Sequence, residues 1–173
     1  MPLIDDREFP AALAAVAEVE FEYDDGDGVD LYPFDEFVSA EETTDWLRAW
    51  TGNQELDGAA FRVFGKDGTG GQVALWLVRG DAALIEQPVV FLGSEGETGV
   101  IARCLSDYLW LLADGFGPFE VVEYPTRDPH PQEGLTAIAE RHAQGPRRSA
   151  HEVIAAAAEE FPHFQKTIDD LCR

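Results

Sequence analysis

The sequence contains little cysteine, little lysine and no long hydrophobic run. Its only cysteines, Cys104 and Cys172, lie far apart and form neither a C-x-x-C motif nor a cluster with histidine, so neither a disulfide framework nor a structural zinc site is expected. No apolar stretch approaches the ~18 residues that a membrane span requires. The first eight residues have neither the basic region nor the apolar region of a secretory signal. These absences predict a cytoplasmic protein.

Positive charge is also scarce. Lysine and arginine total 12 against 34 aspartates and glutamates, which gives a formal net charge of −22. This excess is far larger than the magnitude of roughly 2–8 that keeps a small domain soluble. A negative field repels phosphate backbones and anionic lipids, which argues against nucleic-acid and membrane binding and favours a basic protein partner. A general composition bias, indicated by the excess of Arg over Lys and by abundant Ala, is the alternative explanation.

Large apolar side chains are abundant enough to fill a hydrophobic core. Hydrophobic residues make up 45% of the chain, with 11 Phe, 4 Trp and 4 Tyr. A chain of this length buries roughly 68–70% of the surface that its unfolded form exposes. We therefore predict one globular domain over residues 1–173.

The N-terminal part combines a helical stretch with an alternating one. Phe9–Val16 is Ala-rich and has a proline at a first-turn position, which predicts a helix. Over residues 17–24 apolar and acidic residues alternate, as in a half-buried strand. The outward face of that strand carries Glu18, Glu20 and Glu22, whose like charges resist pairing with the edge of another chain.

A helix and a series of strands follow. Ser39–Glu42 matches a capping box, and the apolar spacing behind it predicts a helix over Ala40–Thr51. The Gly-rich turn Gly65–Gly71 separates the first two of four strand-like runs. The four runs are 59–64, 72–79, 88–93 and 99–103. Because short turns join consecutive strands, the sheet is predicted to be antiparallel.

The rest of the chain is predicted to be mainly helical. Ser106–Asp107 is expected to cap a short buried helix, and Phe116–Tyr124 to form a last strand or an extended connection. Pro125–Pro131 is proline-rich and is typical of a linker. Residues 128–173 carry three amphipathic stripes, the second opened by a capping box at Ser149. This region is small for an independent core, so we expect it to pack on the sheet.

Three patterns that could carry chemistry each fail on a specific feature. The loop Asp24–Asp30 is rich in carboxylates, but an EF-hand register from Asp25 puts Val29 at a ligand position and Asp30 at the required glycine. The turn Gly65–Gly71 lacks the Lys-Ser/Thr ending of a phosphate-binding loop. The four histidines lack metal-binding spacing, and no G-x-S-x-G nucleophile motif occurs. We predict no catalytic residue, no metal site and no cofactor.

Three motifs occur together in an order typical of a known family. They are Phe64-Gly65 with Asp67-Gly68-x-Gly70 ahead of the strand-like Val73–Leu77, then Pro88–Leu92 before an acidic loop, and then Ser106–Leu112. On these motifs, residues 34–119 resemble the SUKH superfamily, which includes the Smi/Knr-like cell-wall-assembly regulators. The resemblance implies an α+β fold with one mostly antiparallel sheet flanked by helices. It supplies no catalytic residues.

Bacterial members of this superfamily are regarded as immunity proteins that neutralise toxin domains, often nucleases, and other members as regulatory interaction modules. The resemblance and the acidity together predict a non-catalytic, protein-binding domain of the immunity type, whose partner is a basic toxin domain. The residues expected to contact the partner are Glu18, Glu20, Glu22, Glu95 and Glu97. The alternative is a small-ligand-binding regulatory domain with a groove beside the turn Gly65–Gly71. The sequence specifies no oligomeric state.

Overall fold

A five-stranded antiparallel sheet forms the centre of the computed structural model, which describes residues 6–23, 25 and 28–173. Positions 24, 26 and 27, which belong to the predicted turn Asp24–Asp30, and positions 1–5 lie outside this description. The strands are β1 (Tyr32–Pro33), β2 (Phe61–Lys66), β3 (Gln72–Trp76), β4 (Val89–Leu92) and β5 (Thr98–Ala102). They stand in the sheet in chain order, each antiparallel to the next. The predicted antiparallel sheet is confirmed.

Helices flank the sheet, as predicted for an α+β fold. They are α1 (Ala11–Ala17), α2 (Ala40–Thr51), α3 (Leu105–Ala113), α4 (Pro118–Glu123), α5 (Glu133–His142), α6 (Ala150–Glu160) and α7 (Phe164–Leu171). In the part of the chain that the structure describes, none of them combines the length and the apolar character needed to cross a bilayer.

Apolar side chains cover both faces of the sheet. On one face, Val73 and Phe91 belong to a cluster that also contains residues of α1, α3 and α5. On the other face, Ala74 and Val90 belong to a second cluster with residues of α2 and α7. The sheet is therefore a middle layer between helices. This position explains why its inner strands are hydrophobic at nearly every position rather than alternately.

The side chain of Asp67 organises the turn between β2 and β3. Its carboxylate accepts hydrogen bonds from the amide of Gly71 at 2.8 Å, from the amide of Thr69 at 3.2 Å and from the hydroxyl of Thr69 at 2.8 Å. The amide of Gly68 donates to Asp30 at 2.8 Å, which ties the segment before β1 to this turn. The Asp-Gly-x-Gly motif thus builds the turn, because its carboxylate replaces the partners that the tight backbone lacks.

Helix α2 begins and ends as predicted. The hydroxyl of Ser39 accepts a first-turn amide hydrogen at 3.1 Å, and Gly52 at the other end has a φ of 73°, in the left-handed region that favours glycine. The rings of Trp46 and Trp50 stack with centroids 5.4 Å apart and pack against the second cluster. The indole of Trp50 also donates to the carbonyl of Gly93 at 2.8 Å. Both tryptophans therefore hold α2 on the sheet.

The C-terminal helices pack on the sheet, as predicted. The capping box at Ser149 is present, with hydrogen bonds in both directions between the cap and Glu152. Phe164 of α7 lies edge-on to Trp76 of β3, with ring centroids 4.9 Å apart. Phe164 and Ile168 are buried in the second cluster. The last helix therefore completes the layer that covers one face of the sheet.

The strand predicted over residues 17–24 is wrong. Ala17 ends α1, and the segment after it pairs with no strand among the described residues. Val19 and Phe21 nevertheless pack against the first cluster, while the neighbouring glutamates are exposed. The alternation indicated the partly buried side of this segment only as far as Phe21, because Tyr23, predicted on the same side, is exposed, and no described strand lies beside the segment to complete a ladder.

Two predictions in the region after the sheet are also wrong. Phe116–Tyr124 contains helix α4 rather than a strand, because Pro118 occupies a first helical position, where its missing N–H costs nothing. Helix α3 begins at Leu105, one residue before the predicted cap. The hydroxyl of Ser106 instead accepts the amide hydrogen of Gln144 at 2.8 Å, which ties α3 to the loop after α5.

Candidate protein-binding surface

A cavity of about 380 Å³ opens at the end of the sheet where β2 begins and β3 ends. Its wall is formed by the start of α2, the segment before β2 and the connection between β3 and β4. Helix α2 reaches from this end to the opposite one, where Trp50 is bonded to Gly93 in the turn between β4 and β5. The first turn of α2 therefore faces the cavity.

The wall of the cavity is mainly apolar. Its apolar lining residues are Val38, Ala40, Gly58, Ala59, Phe61, Leu77, Gly80, Ala82 and Leu84. Its polar lining residues are Asp6, Thr43, Arg62 and Gln87. Small-molecule sites are typically clefts of about 300–1,000 Å³ with apolar walls and a few polar groups, and this cavity falls at the lower end of that range.

Three polar side chains of the wall, Gln87, Arg62 and Thr43, differ in their surroundings. Gln87 is hydrogen-bonded to the connection between β3 and β4, accepting from the amide of Arg79 at 2.9 Å, so its amide group holds that connection in place. The guanidinium carbon of Arg62 lies 4.6 Å from the centroid of the Phe37 ring, a cation–π contact that fixes a positive charge at the wall. Thr43 is 2% exposed, and its hydroxyl has no hydrogen-bond partner among the described residues.

Four exposed acidic residues belong to the segments that form the cavity wall. Asp6 lines the cavity directly. Glu41, Asp57 and Asp81 are exposed, and each is the chain neighbour of a lining residue. We call Asp6, Glu41, Asp57 and Asp81 the acidic rim. Within the described ranges, no ion pair joins a carboxylate of the rim to a lysine or arginine. The cavity therefore combines an apolar floor with a negatively charged border.

Many of the scarce basic side chains are engaged by the protein's own carboxylates. The pairs are Arg7–Glu36, Arg79–Glu160, Arg103–Asp107, Arg127–Glu120, Arg147–Asp114, Arg148–Asp107 and Lys166–Asp170, at 2.7 to 3.8 Å. Several of these arginines sit over buried carboxylates of α3 and α4. Internal pairing thus engages arginines that lie close to the rim in the chain, such as Arg7 and Arg79, with carboxylates outside the rim.

The first group of predicted contact residues lies on another part of the surface. Glu18, Glu20 and Glu22 are exposed on the segment after α1. Glu20 and Glu22 border a cleft of about 150 Å³ between this segment and the start of α5. Their exposure suits an interface with a basic partner, and their role in binding stays a prediction.

The second group lies in the turn between β4 and β5. Glu95 is exposed, whereas Glu97 is partly buried, and its carboxylate accepts the amide hydrogen of Glu95 at 3.1 Å. Glu97 therefore stabilises this turn. Neither group of glutamates lines the cavity of about 380 Å³. That cavity also lies at the end of the hairpin opposite to Gly65–Gly71, where a ligand groove was predicted, so the predicted position of the groove differs from that of the cavity.

A buried carboxylate lies on α4. Glu120 is 5% exposed, and neither of its carboxylate oxygens has a hydrogen-bond partner among the described residues. The nearby Arg127 places Nη1 3.7 Å from Oε1. Burial raises the pKa of Glu120 above its ordinary value, the charges of Asp30 and Asp67 raise it further, and Arg127 opposes them. Among the described residues, no group of three His, Cys, Asp or Glu side chains could hold a metal ion.

Replacing Glu120 by glutamine is expected to stabilise the protein by about 1 kcal/mol near pH 8. Because the native pKa of Glu120 is raised, protonation of this side chain stabilises the folded state. This contribution is complete below the unfolded pKa of about 4.3 and is lost as the pH rises through the native pKa. The advantage of Glu120→Gln should therefore shrink as the pH falls. Urea denaturation followed by tryptophan fluorescence at about pH 8 and about pH 5.5 measures both effects.

The matched control for this experiment is Glu123→Gln, because Glu123 is exposed on the same helix. It is expected to change the free energy of unfolding by no more than about 0.5 kcal/mol at either pH. A marked loss of stability in Glu120→Gln at about pH 8 would instead show that the pair with Arg127 is net stabilising.

The cavity and its acidic rim were not predicted from the sequence. The rim residues are scattered over four segments of the chain, and no sequence motif joins them. The signal available in the sequence was the placement of acidic residues beside Gly and Ala at the ends of predicted elements, which is too common in a chain with 34 acidic residues to be informative. The tertiary arrangement of α2 against β2 was needed to bring them together.

Comparisons with known proteins give no match: no family model, no curated protein and no solved structure matches this chain. The likeness to the SUKH superfamily therefore rests on the motifs given above. Any inference about function has to be drawn from the residues and their geometry.

Proposed function

We propose that this chain is a non-catalytic, cytoplasmic protein-interaction domain that binds a basic protein through its acidic surface. The observation that carries the proposal is the distribution of charge. Arginines pair with the protein's own buried carboxylates, whereas the residues of the acidic rim are exposed and belong to the segments that line an apolar cavity. Protein interfaces commonly combine an apolar centre with a polar border, and this surface has both parts.

The net charge limits the kind of partner. A protein with a formal charge of −22 attracts cationic proteins over distances of about a Debye length, ~10 Å at 0.1 M salt. Nucleic acids and anionic membranes carry the same sign of charge and are repelled. Charge complementarity of this kind mainly accelerates association and selects the partner.

An immunity role is the specific form of the proposal. The resemblance to the SUKH superfamily implies it, and the cationic cleft of a nuclease is a partner of the required charge. In this role the domain would bind the toxin and cover its active site, and no catalytic residue of its own is needed. The C-terminal helices would support the fold, since they are packed on the sheet.

A small-ligand regulatory domain is the second candidate, and the cavity of about 380 Å³ favours it. A ligand that binds only the native state raises the stability of that state by mass action. In a thermal-shift screen, a metabolite whose stabilising effect is lost when the cavity is filled would support this candidate over a protein partner.

Binding of a basic partner is expected to weaken by at least tenfold between about 0.05 M and about 0.5 M salt, because screening shortens the reach of the surface charges. The measurement is affinity capture of proteins from the native cell on the immobilised chain, followed by titration of the captured protein at several salt concentrations. For a captured nuclease, inhibition of its activity at an equimolar ratio is the second readout.

Two sets of substitutions identify which surface carboxylates accelerate association with the basic partner. The test set neutralises part of the acidic rim, with Glu41→Gln, Asp57→Asn and Asp81→Asn. The control set removes the same number of charges at exposed positions on α5 and α6, with Glu133→Gln, Glu140→Gln and Glu159→Gln. The test set should slow association more than the control set. Binding that is insensitive to salt, or capture of no basic protein, would contradict the proposal.

A further inference from the structure

We propose that the cavity at the start of β2 receives one apolar, aromatic side chain of the basic partner, while lysines or arginines beside that side chain bind the acidic rim. This inference rests on the proposed function and adds to it the position of the interface and the chemistry of the segment that is recognised. It also moves the interface away from the glutamates that the sequence indicated.

The apolar wall determines what enters the cavity. Val38, Phe61, Leu77 and Leu84 come from four different segments and converge on one space. In protein interfaces, a few anchor side chains in desolvated pockets carry most of the binding free energy, and tryptophan and tyrosine are the most enriched among apolar anchors. A space of about 380 Å³ with an apolar wall suits such an anchor.

The charge inside the cavity makes a neutral anchor better than a cationic one. Arg62 lines the wall, with its guanidinium carbon 4.6 Å from the centroid of the Phe37 ring. A lysine or arginine of the partner would meet this like charge at the wall, whereas it would find unlike charge at Asp6 and at the exposed carboxylates of the rim.

The border of the cavity determines what lies beside the anchor. Asp6 lines the cavity, and Glu41, Asp57 and Asp81 are exposed chain neighbours of lining residues in three other segments. Basic residues that flank the anchor would meet these carboxylates at the solvent-exposed edge, where charge complementarity adds association rate and specificity. The recognised segment is therefore basic, with a single aromatic residue in its middle.

The same charges argue against other occupants. A second copy of this chain also carries a formal charge of −22, so two copies repel each other at this surface. An anionic membrane surface or a nucleic acid is repelled for the same reason. A neutral small molecule would gain nothing from the acidic rim, and this difference makes it distinguishable in the experiment below.

The experiment uses short fluorescent peptides as probes and measures their binding by anisotropy. One peptide has a central tryptophan flanked by arginines, the second has a central alanine flanked by arginines, and the third has a central tryptophan flanked by serines. The first peptide should bind at least about tenfold, or about 1.4 kcal/mol, more tightly than either of the others. The alanine peptide lacks the buried anchor, and the serine peptide lacks the charges that meet the acidic rim.

Cavity-filling variants of the protein complete the test. Ala59 lines the cavity, so Ala59→Trp should remove the preference for the central tryptophan while leaving the affinity for the alanine peptide unchanged. The matched control is Ala60→Trp, because Ala60 is the next residue, is exposed and does not line the cavity. Ala82→Phe fills the same space from another segment. It keeps the test valid if the new tryptophan side chain in Ala59→Trp points to solvent instead of into the cavity.

Each outcome separates the inference from the proposed function. A preference that is lost in Ala59→Trp or Ala82→Phe and kept in Ala60→Trp supports the anchor site. The absence of a preference in the unmodified protein, or a preference that survives in both filled variants, overturns the anchor site but leaves charge-driven binding intact. If neither arginine peptide binds in a salt-dependent manner, the proposed function itself fails. Equal binding of the serine and arginine forms of the tryptophan peptide overturns the role of the acidic rim and indicates a site for neutral ligands.

Discussion

Replacing Phe91 by alanine is expected to lower the free energy of unfolding by about 4 kcal/mol. Phe91 is fully buried in β4, and its ring lies edge-on to Phe119, with centroids 6.4 Å apart. The ring also covers Gly71, where an added Cβ would lie 2.6 Å from the ring. The turn between β2 and β3 cannot move into the space left by Phe91 without loss of its own hydrogen bonds, so the cavity would remain largely empty.

Urea denaturation followed by tryptophan fluorescence measures this loss, and the chain has 4 tryptophans as probes. Phe91→Leu keeps most of the apolar volume and should cost no more than about half as much. Tyr23→Ala is the surface control, because Tyr23 is 56% exposed, and it should change stability by no more than about 0.5 kcal/mol. A loss below about 1 kcal/mol in Phe91→Ala would show that β4 is not packed as described.

Replacing Asp67 by alanine is expected to cost about 3 kcal/mol, because hydrogen bonds to a charged group are stronger than neutral ones and their loss leaves the buried amide of Gly71 without a partner. Asp67 is 1% exposed, and its carboxylate accepts hydrogen bonds from the amides of Thr69 and Gly71 and from the hydroxyl of Thr69. The turn would lose the groups that fix its backbone, and β2 and β3 would lose their connection at one end.

Asp67→Asn is the matched variant, since its side-chain oxygen can still accept hydrogen bonds. It removes the negative charge beside Asp30 and Glu120 and should cost only about 1 kcal/mol. Both variants should keep the salt-dependent affinity for a basic partner, because the turn lies at the end of the hairpin opposite to the acidic rim. A loss of binding larger than the loss of folded protein would contradict this structural role for Asp67.

Elements with strong local signals were predictable from the sequence. The capping box at Ser149, the cap at Ser39 and the left-handed Gly52 depend on nearby residues alone, and all three are present. The hairpins were predictable because turns rich in Gly and acidic residues separated apolar runs of strand length. These features require no knowledge of which elements meet in space.

Features that depend on tertiary neighbours were not predictable. The alternation of residues 17–24 predicted that Val19 and Phe21 face the core, and both are partly buried. A strand also needs a neighbouring strand with free backbone groups, and no pattern in the segment specifies one. In α4, the β-branched Val121 and Val122 favoured a strand, and Pro118 at the first helical position was the stronger signal.

The candidate site shows the same limit more clearly. The sequence indicated that acidic residues would matter and placed them at Glu18 to Glu22 and at Glu95 and Glu97. It could not show that Glu97 is used to hold its own turn, nor that a cavity opens beside the first turn of α2. The proposed interface is made of single residues from four segments, so it has no linear pattern in the sequence.

We propose that a basic protein binds at the end of the sheet that carries the acidic rim. Hydrogen–deuterium exchange on the complex with the captured partner tests this position. Slower exchange is expected in residues 57–62 and 79–83 and at the start of α2, with exchange in the turn between β4 and β5 unchanged. Slower exchange confined to residues 18–23 and 93–97, with no protection around the cavity, would contradict it.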